Sequence, residues 1–354
     1  MVGGMEWISP QYSKSQVNKA GRFLVAAGGD VVDWMDFINA QEVVNNWRAS
    51  HNYPLNTFKV TLRAKAHAVD SNSLVAQRIK RMSSIELKLS RFKTMQMSQM
   101  QDLGGCRAIL GTTSQVHALV KRYRESDLKH ELDDVDDYIT APKPSGYRGV
   151  HLIYKYFSDK KAPSVYNGLF IEMQIRSRLQ HAWATAVETV GTFLSQSLKS
   201  SQGEEQWLRF FQLMVSALAR REKATALVPN TPTTKTALVS ELRKITGELN
   251  VQNVLSMYGN AVTVGLQGAA NGDHYFLLKL EPSEGRMTVT GYPKKALDRA
   301  SADYLKVESQ ITKEPGAEAV LVSVDSLAVL QRAYPNYFLD TKVFLEEVKE
   351  AIRR

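Results

Sequence analysis

The sequence predicts an α+β fold: a core domain of mixed strands and helices over residues 1–228, then a smaller α+β module over 229–354. Three observations carry this. Short apolar runs recur at 106–110 (CRAIL), 150–157 (VHLIYKYF) and 169–175 (LFIEMQI), with helically spaced segments between and around them. A break at 229–234, PNTPTT, separates this set from a second mixed set. The charge changes at the same place. Residues 226–354 hold 15 Lys+Arg and 15 Asp+Glu, leaving 30 of the 45 basic and 21 of the 36 acidic groups to the first 225, so the whole net charge of +9 lies there. A basic half joined to a neutral half suggests a polyanion-handling domain with a different kind of module attached.

Each element follows in order. Phe23, Leu24 and Ala27, then Val31, Trp34, Met35 and Ile38, predict two helices within 12–50. TFKVTLRAKAHAV at 57–69 reads as strand-like. Residues 73–92 mix Ile79, Ile85, Leu87 and Leu89 with many basic groups. A helix is expected around 114–125, between the first two apolar runs, and helical spacing resumes at 177–197 and 204–222. Beyond the break, 235–258 reads as helical, 261–267, 274–281, 286–291 and 318–324 as strands, and 294–310 and 340–353 as helices. There is no internal repeat.

Composition narrows the class. The chain of 354 residues, 44% hydrophobic and 23% charged, has the make-up of an ordinary globular protein with room for two domains. No apolar run approaches the roughly 18–20 residues that span a bilayer, and MVGGMEWISPQYSKSQ lacks a basic-then-apolar leader pattern. The single cysteine, Cys106, excludes an internal disulfide framework and a cysteine-rich zinc site. A cytoplasmic protein with no membrane association is expected.

In LFIEMQIR, alternation sends Leu169, Ile171, Met173 and Ile175 one way and Phe170, Glu172, Gln174 and Arg176 the other. Taken alone this is also what an exposed amphipathic strand looks like. A second carboxylate, Asp102, precedes Leu103-Gly104-Gly105 and the strand carrying Arg107. Two carboxylates near neighbouring strand ends suit Mg²⁺, which takes one or two such ligands beside its substrate's phosphates. An Asx turn would explain Asp102 equally well. Arg78, Lys80, Arg81, Lys88, Arg91 and Lys93 surround Ser83 and Ser84, a set able to neutralise a triphosphate or simply to solvate a helix face. In PKPSGYRGVH, Tyr147 offers a ring for stacking a base, with Lys143, Arg148 and His151 near enough to meet phosphates or a sugar hydroxyl.

The ordered set R-I-K…S-S-I-x-x-K-L, D-L-G-G-C-R, P-K-P-S-G-Y-R-G-V-H, F-I-E-M-Q-I-R and H-A-W-A (181–184) resembles the synthetase domain of the RelA/SpoT family over roughly 55–225. The resemblance implies a nucleotidyltransferase-like mixed sheet flanked by helices, and Mg²⁺-dependent transfer of the β,γ-pyrophosphate of ATP to a ribose 3′-hydroxyl. By the same resemblance Arg78 and Arg107 sandwich adenine, and Lys80, Ser84 and Lys88 hold the ATP phosphates. Asp102 and Glu172 bind Mg²⁺, with Glu172 also activating the hydroxyl. Tyr147 stacks the acceptor base; Lys143, Arg148, His151, Gln174 and Arg176 complete the site. One departure is Gly149, where the family usually has serine. The first 70 residues contain no His-Asp pair, so the hydrolase activity of long family members is not expected.

Tyr334-Pro335-Asn336-Tyr337 is similar to the Tyr-x-x-Tyr element of the CapRel branch, fused toxin–antitoxin proteins whose C-terminal pseudo-zinc-finger module holds the toxin off near the ATP site. That likeness implies regulatory roles for Tyr334 and Tyr337. It further implies the 3′ end of the tRNA acceptor stem as substrate, inhibition of translation, and release by a phage capsid protein in antiviral defence. The same motifs serve a (p)ppGpp synthetase with GDP or GTP as acceptor. Arg220, Arg221 and Lys223 are candidates for an RNA-facing surface.

Overall fold

The computed structural model describes residues 7–27, 33–197, 202–224, 226–260, 263–267, 272–281, 284–311, 317–335 and 341–353. Two of the first three helices are where spacing placed them: α1 (Lys14–Ala27) and α2 (Trp34–Ser50). The third is a correction. Residues 57–69 are not a strand but most of α3 (Asn52–His67), which buries Leu55, Phe58, Leu62 and Ala66 on one face. Alternation of apolar and basic residues mimicked a strand, while the i, i+4 set decided the fold.

The basic segment splits into β1 (Leu74–Ile79) and α4 (Met82–Arg91). The apolar runs become β2 (Gly104–Leu110), β4 (Val150–Lys155) and β5 (Phe170–Ser177), with α5 (Thr113–Arg124) after β2. Thr112 and Gln115 close a capping box at the start of α5. An unpredicted acidic strand, β3 (Glu131–Asp137), pairs with β4 at one edge. Helices α6 (Arg178–Ser197), α7 (Gln202–Arg221), α8 (Lys235–Glu248) and α9 (Val251–Asn260) follow, then β6 (Thr263–Gln267), β7 (Asp273–Glu281), β8 (Arg286–Pro293), α10 (Leu297–Ile311), β9 (Glu318–Ser323), α11 (Leu327–Ala333) and α12 (Lys342–Arg353). The predicted helix at 235–258 is thus two helices, broken at Asn250, where φ is +47°.

The strands form one mixed nine-stranded sheet, ordered β3-β4-β5-β2-β1-β9-β7-β8-β6. The strands after the 229–234 break therefore extend the first sheet. The join is short: Gln77 pairs with Ser323 and Arg78 with Val322. On one face α1–α3 and α5 cover Cys106, Ala108, Ile171, Met173 and Ile175. Further along that face α10 packs Tyr304 and Leu297 against Tyr275 and Leu277. A separate cluster joins α6 and α7 to α8, α9 and α12 through Trp183, Phe210, Phe211, Leu242 and Phe344.

Candidate active site

The register gathers the chemistry on the other face. Arg78 lies opposite Gly105, Gly105 opposite Glu172, and Arg107 and His151 both opposite Gln174. Arg78, Arg107, His151, Glu172, Gln174 and Arg176 therefore share one face, because pairing partners point the same way. Arg78, Lys80, Asp102, Arg107, Glu172 and Gln174 line a single cleft there. Asp102, in the turn before β2, is held by two lysines: Lys80 Nζ to Oδ2 at 2.7 Å and Lys88 Nζ to Oδ1 at 2.9 Å. Ser84 lies one turn before Lys88 on α4, on the same side of that helix.

Glu172 belongs to a closed ring of hydrogen bonds. His151 Nδ1 meets its Oε1 at 3.0 Å and Gln174 Nε2 donates to its Oε2 at 2.7 Å. Arg176 Nη2 donates to Gln174 Oε1 at 2.9 Å, and Arg176 Nε to Tyr147 Oη at 3.1 Å. Tyr147 Oη meets His151 Nε2 at 2.5 Å and closes the circuit. The donors run consistently with Nδ1–H donating to Glu172, while the Tyr147 hydroxyl either donates to a bare Nε2 or accepts from a protonated one. Burial alone would raise the Glu172 carboxyl. Hydrogen bonds from His151 and Gln174, with positive charge at His151 and Lys88, outweigh it and hold the group at about 2, so it is ionised.

The same face is crowded with guanidinium. Burial first, then the charges of Arg176 and Arg78, pull Arg107 down to about 10. Arg107 Nε and Arg176 Nη1 are buried without a hydrogen-bond partner among the described residues. Buried donors lacking acceptors suit an anionic, acceptor-rich ligand such as a nucleoside triphosphate.

Tyr147 is packed rather than open. Its ring lies 4.9 Å from the Arg176 guanidinium and 5.6 Å from Lys143 Nζ, and Tyr138 meets it edge-on at 5.7 Å. Gly149, at φ +152°, makes this possible: a Cβ there would stand 3.2 Å from both Tyr147 Oη and Arg176 Cγ. Tyr138, missed in the sequence, also meets His151 edge-on at 5.3 Å. Its only sequence signal is an aromatic residue nine positions before Tyr147.

One expected catalytic group is elsewhere. Arg148 is 2% exposed and donates to the carbonyl oxygens of Ile139 (2.5 Å) and Ala226 (2.9 Å). It ties the 139–148 loop to the end of the α7 region instead of facing the cleft: its guanidinium is taken up by those two carbonyls, while the neighbouring Tyr147 hydroxyl meets His151 and Arg176. Two of the proposed RNA-facing groups are also engaged internally: Arg220 donates to Thr233 O, and Arg221 pairs with Glu347 on α12.

Tyr334, directly after α11, reaches the site from the C-terminal residues. It is 3% exposed, lines the same cleft, and its ring centroid lies 5.8 Å from Arg107 Cζ. Tyr337 lies outside the described residues. Asp102 and Glu172 are the two carboxylates that line the cleft, and the ones a cation there would meet. No group of three or more His, Cys, Asp or Glu side chains converges among the described residues, so such an ion would complete its shell with phosphate and water. Among the described residues, no helix is long and apolar enough to cross a membrane.

Residues 77–191 match the family model described as the region found in RelA/SpoT proteins. Solved structures with similar folds include small alarmone synthetase 2 from Bacillus subtilis (19% identity, 51% of this chain and 94% of that one, TM-score 0.42). Small alarmone synthetase 1 from Bacillus subtilis, bound to its product pppGpp, gives 21% identity, 49% and 91% coverage and a TM-score of 0.41. A GTP pyrophosphokinase family protein from Streptococcus pneumoniae gives 20%, 55% and 93%, and 0.41. No curated protein matches the chain. The matched region contains Arg78, Lys80, Asp102, Arg107, Glu172 and Gln174 of the cleft, and the mixed sheet flanked by helices is the fold expected of a RelA/SpoT synthetase. The enzyme class is the ATP-dependent pyrophosphokinase.

Proposed function

We propose that this chain transfers pyrophosphate from ATP to the 3′-hydroxyl of tRNA, and that Tyr334 holds it inactive. Arg78 and Arg107 take the adenine, and Lys80, Ser84 and Lys88 the phosphates. Asp102 and Glu172 hold Mg²⁺, whose chemistry there is neutralisation of the charge on the transferring phosphates. Glu172 accepts the proton of the attacking hydroxyl as its oxygen bonds the β-phosphorus, and AMP leaves. The ring through Gln174, Arg176, Tyr147 and His151 fixes that carboxylate's orientation before the acceptor arrives. The basic first half supports a polyanionic acceptor. GDP or GTP remains the second reading, since nothing in the Glu172 ring distinguishes one ribose from another. Cytoplasmic inhibition of translation, with a phage capsid protein as the opening agent, follows from the family resemblance.

The observation that carries inhibition is the Tyr334 ring against Arg107, where adenine would stack. Opening is then a two-state balance, and a trigger shifts it only by binding the open form better. Removing a buried aromatic ring costs a closed state a few kcal/mol, and about 1.4 kcal/mol is tenfold in the population ratio. Tyr334→Ala is therefore expected to raise transfer of label from γ-labelled ATP to tRNA by tenfold or more without a trigger. Parallel reactions with GDP and GTP identify the acceptor. A soluble Tyr334→Ala protein no more active than the parent overturns the inhibitory role; label appearing only in GDP or GTP overturns the tRNA reading.

A further inference from the structure

Helix α4 carries Ser84 and Lys88, yet its N-terminus has no cap of its own. Its N-cap residue Arg81 makes no side-chain capping bond, and the first turn has no acidic residue. The missing acceptor comes from the far end of the chain. Glu308 Oε1 on α10 accepts the Met82 backbone N–H at 2.8 Å. That carboxylate is itself fixed: Arg48 Nη2 meets Oε2 at 2.8 Å, Tyr304 Oη donates to Oε1 at 2.5 Å, and the Arg48 guanidinium lies 5.3 Å from the Tyr304 ring centroid. Arg81, one residue earlier, pairs with Glu318 of β9 at 2.5 Å.

The helical period separates this clamp from the cleft. Met82 and Glu86 share one face of α4, and Glu86 is pushed up by burial and by the nearby Glu308 charge, so that face looks toward α10. Ser84 and Lys88 lie about 200° further round, and Lys88 reaches Asp102 on the cleft side. Glu308 therefore leaves the phosphate side of α4 open while satisfying an orphan N–H and placing negative charge at the helix's positive end.

We propose that Glu308 is a positioning residue for ATP: residues 229–354 not only block the cleft but also complete the helix that holds the triphosphate. This rests on the cleft being an ATP site, as argued above.

The test uses the full chain with Tyr334→Ala, so that the cleft is open. Arg48→Met/Glu308→Gln keeps an acceptor for Met82 N–H and leaves no orphan charge; Arg48→Met/Glu308→Leu removes the acceptor. Binding of α,β-methylene ATP and thermal midpoint are measured for both. The Leu pair is expected to bind about tenfold more weakly than the Gln pair, the scale of one lost helix cap. Its KM for ATP rises in step and kcat stays within about twofold. Should the Leu pair not fold, Glu308→Asp, one methylene short of Met82 N–H and still charged for Arg48, is expected to show the same loss. Equal binding by the Gln and Leu pairs, or by Glu308→Asp and its parent, overturns the proposal. A Tyr334→Ala parent that binds no analogue overturns the reading of the cleft, and this inference with it.

Discussion

The two halves of the sheet present the same face to opposite chemistry. From β4 to β1 that face carries His151, Glu172, Gln174, Arg176, Arg107 and Arg78. From β9 to β8 it carries Val320, Val322, Phe276, Leu278, Met287 and Val289, all fully or almost fully buried. The change occurs between adjacent strands, where Arg78 pairs with Val322. An apolar face must be covered, and α11 covers it with Leu330 and Ala333. Tyr334, the next residue, packs in that cluster and reaches the first charged strands. The ring that lies against Arg107 on the polar half is thus anchored by the apolar half, and the proposed inhibition needs no separate pocket for it.

The sharpest way to break this comparison is one substitution on each half. Glu172→Gln keeps the shape and one of the two accepted hydrogen bonds but removes the proposed base, so activity in the Tyr334→Ala background should fall by about 10²–10⁴-fold, with a smaller change in denaturation midpoint than a core truncation gives. Leu278→Ala, at a site with 0% exposure, should instead cost about 2–5 kcal/mol in urea unfolding. Should both variants lose the same property, the two faces do not divide catalysis from cohesion.

A smaller effect is expected at the seam. Lys59 of α3 is buried and donates to Ser323 Oγ on β9 at 2.9 Å, and Ser323 Oγ in turn meets His274 Nε2 at 2.9 Å. Burial pulls the ammonium down to about 8, against the Asp325 charge that raises it. Between pH 8 and roughly 10.5 the unfolded chain then holds more protons than the folded one, so stability rises with pH across that window, by about 2–3 kcal/mol at most. Lys59→Met should flatten the rise in denaturant midpoints measured at pH 8 and 10; an unchanged slope would assign it to other groups. The smallest effect belongs to the exposed pair Arg63–Asp325 at 2.8 Å, which also links α3 to the residues after β9. Asp325→Asn should cost under about 1 kcal/mol, and less at high salt.

The cleft was more legible in the sequence than the cover. Alternation in β5 and β2 put Glu172, Gln174, Arg176 and Arg107 on one face, and register did the rest. Arg148 was misjudged because residue type says what a side chain offers, not which way the backbone aims it. β3 went unseen because ELDDVDD has five acids in seven positions and its pairing to β4 is made by the backbone. Glu308 carried no signal. An acid on a surface-like helix is ordinary, and its partners Arg48 and Met82 lie more than 200 residues away in sequence.

The two-residue join of β1 to β9 also has a consequence for timing. When α7 is finished, every strand from β1 to β5 has been made, but residues 222–334 have not. At about 5–20 residues per second, their synthesis takes roughly 6–23 s. Through that interval β1 is an unpaired sheet edge and Arg107 has no tyrosine over it. Glu308 and Tyr334 arrive late and nearly together, so the segment that caps α4 also brings the ring that lies against Arg107. If that ring is the proposed block, a nascent chain gains its α4 cap and its block in the same stretch of synthesis.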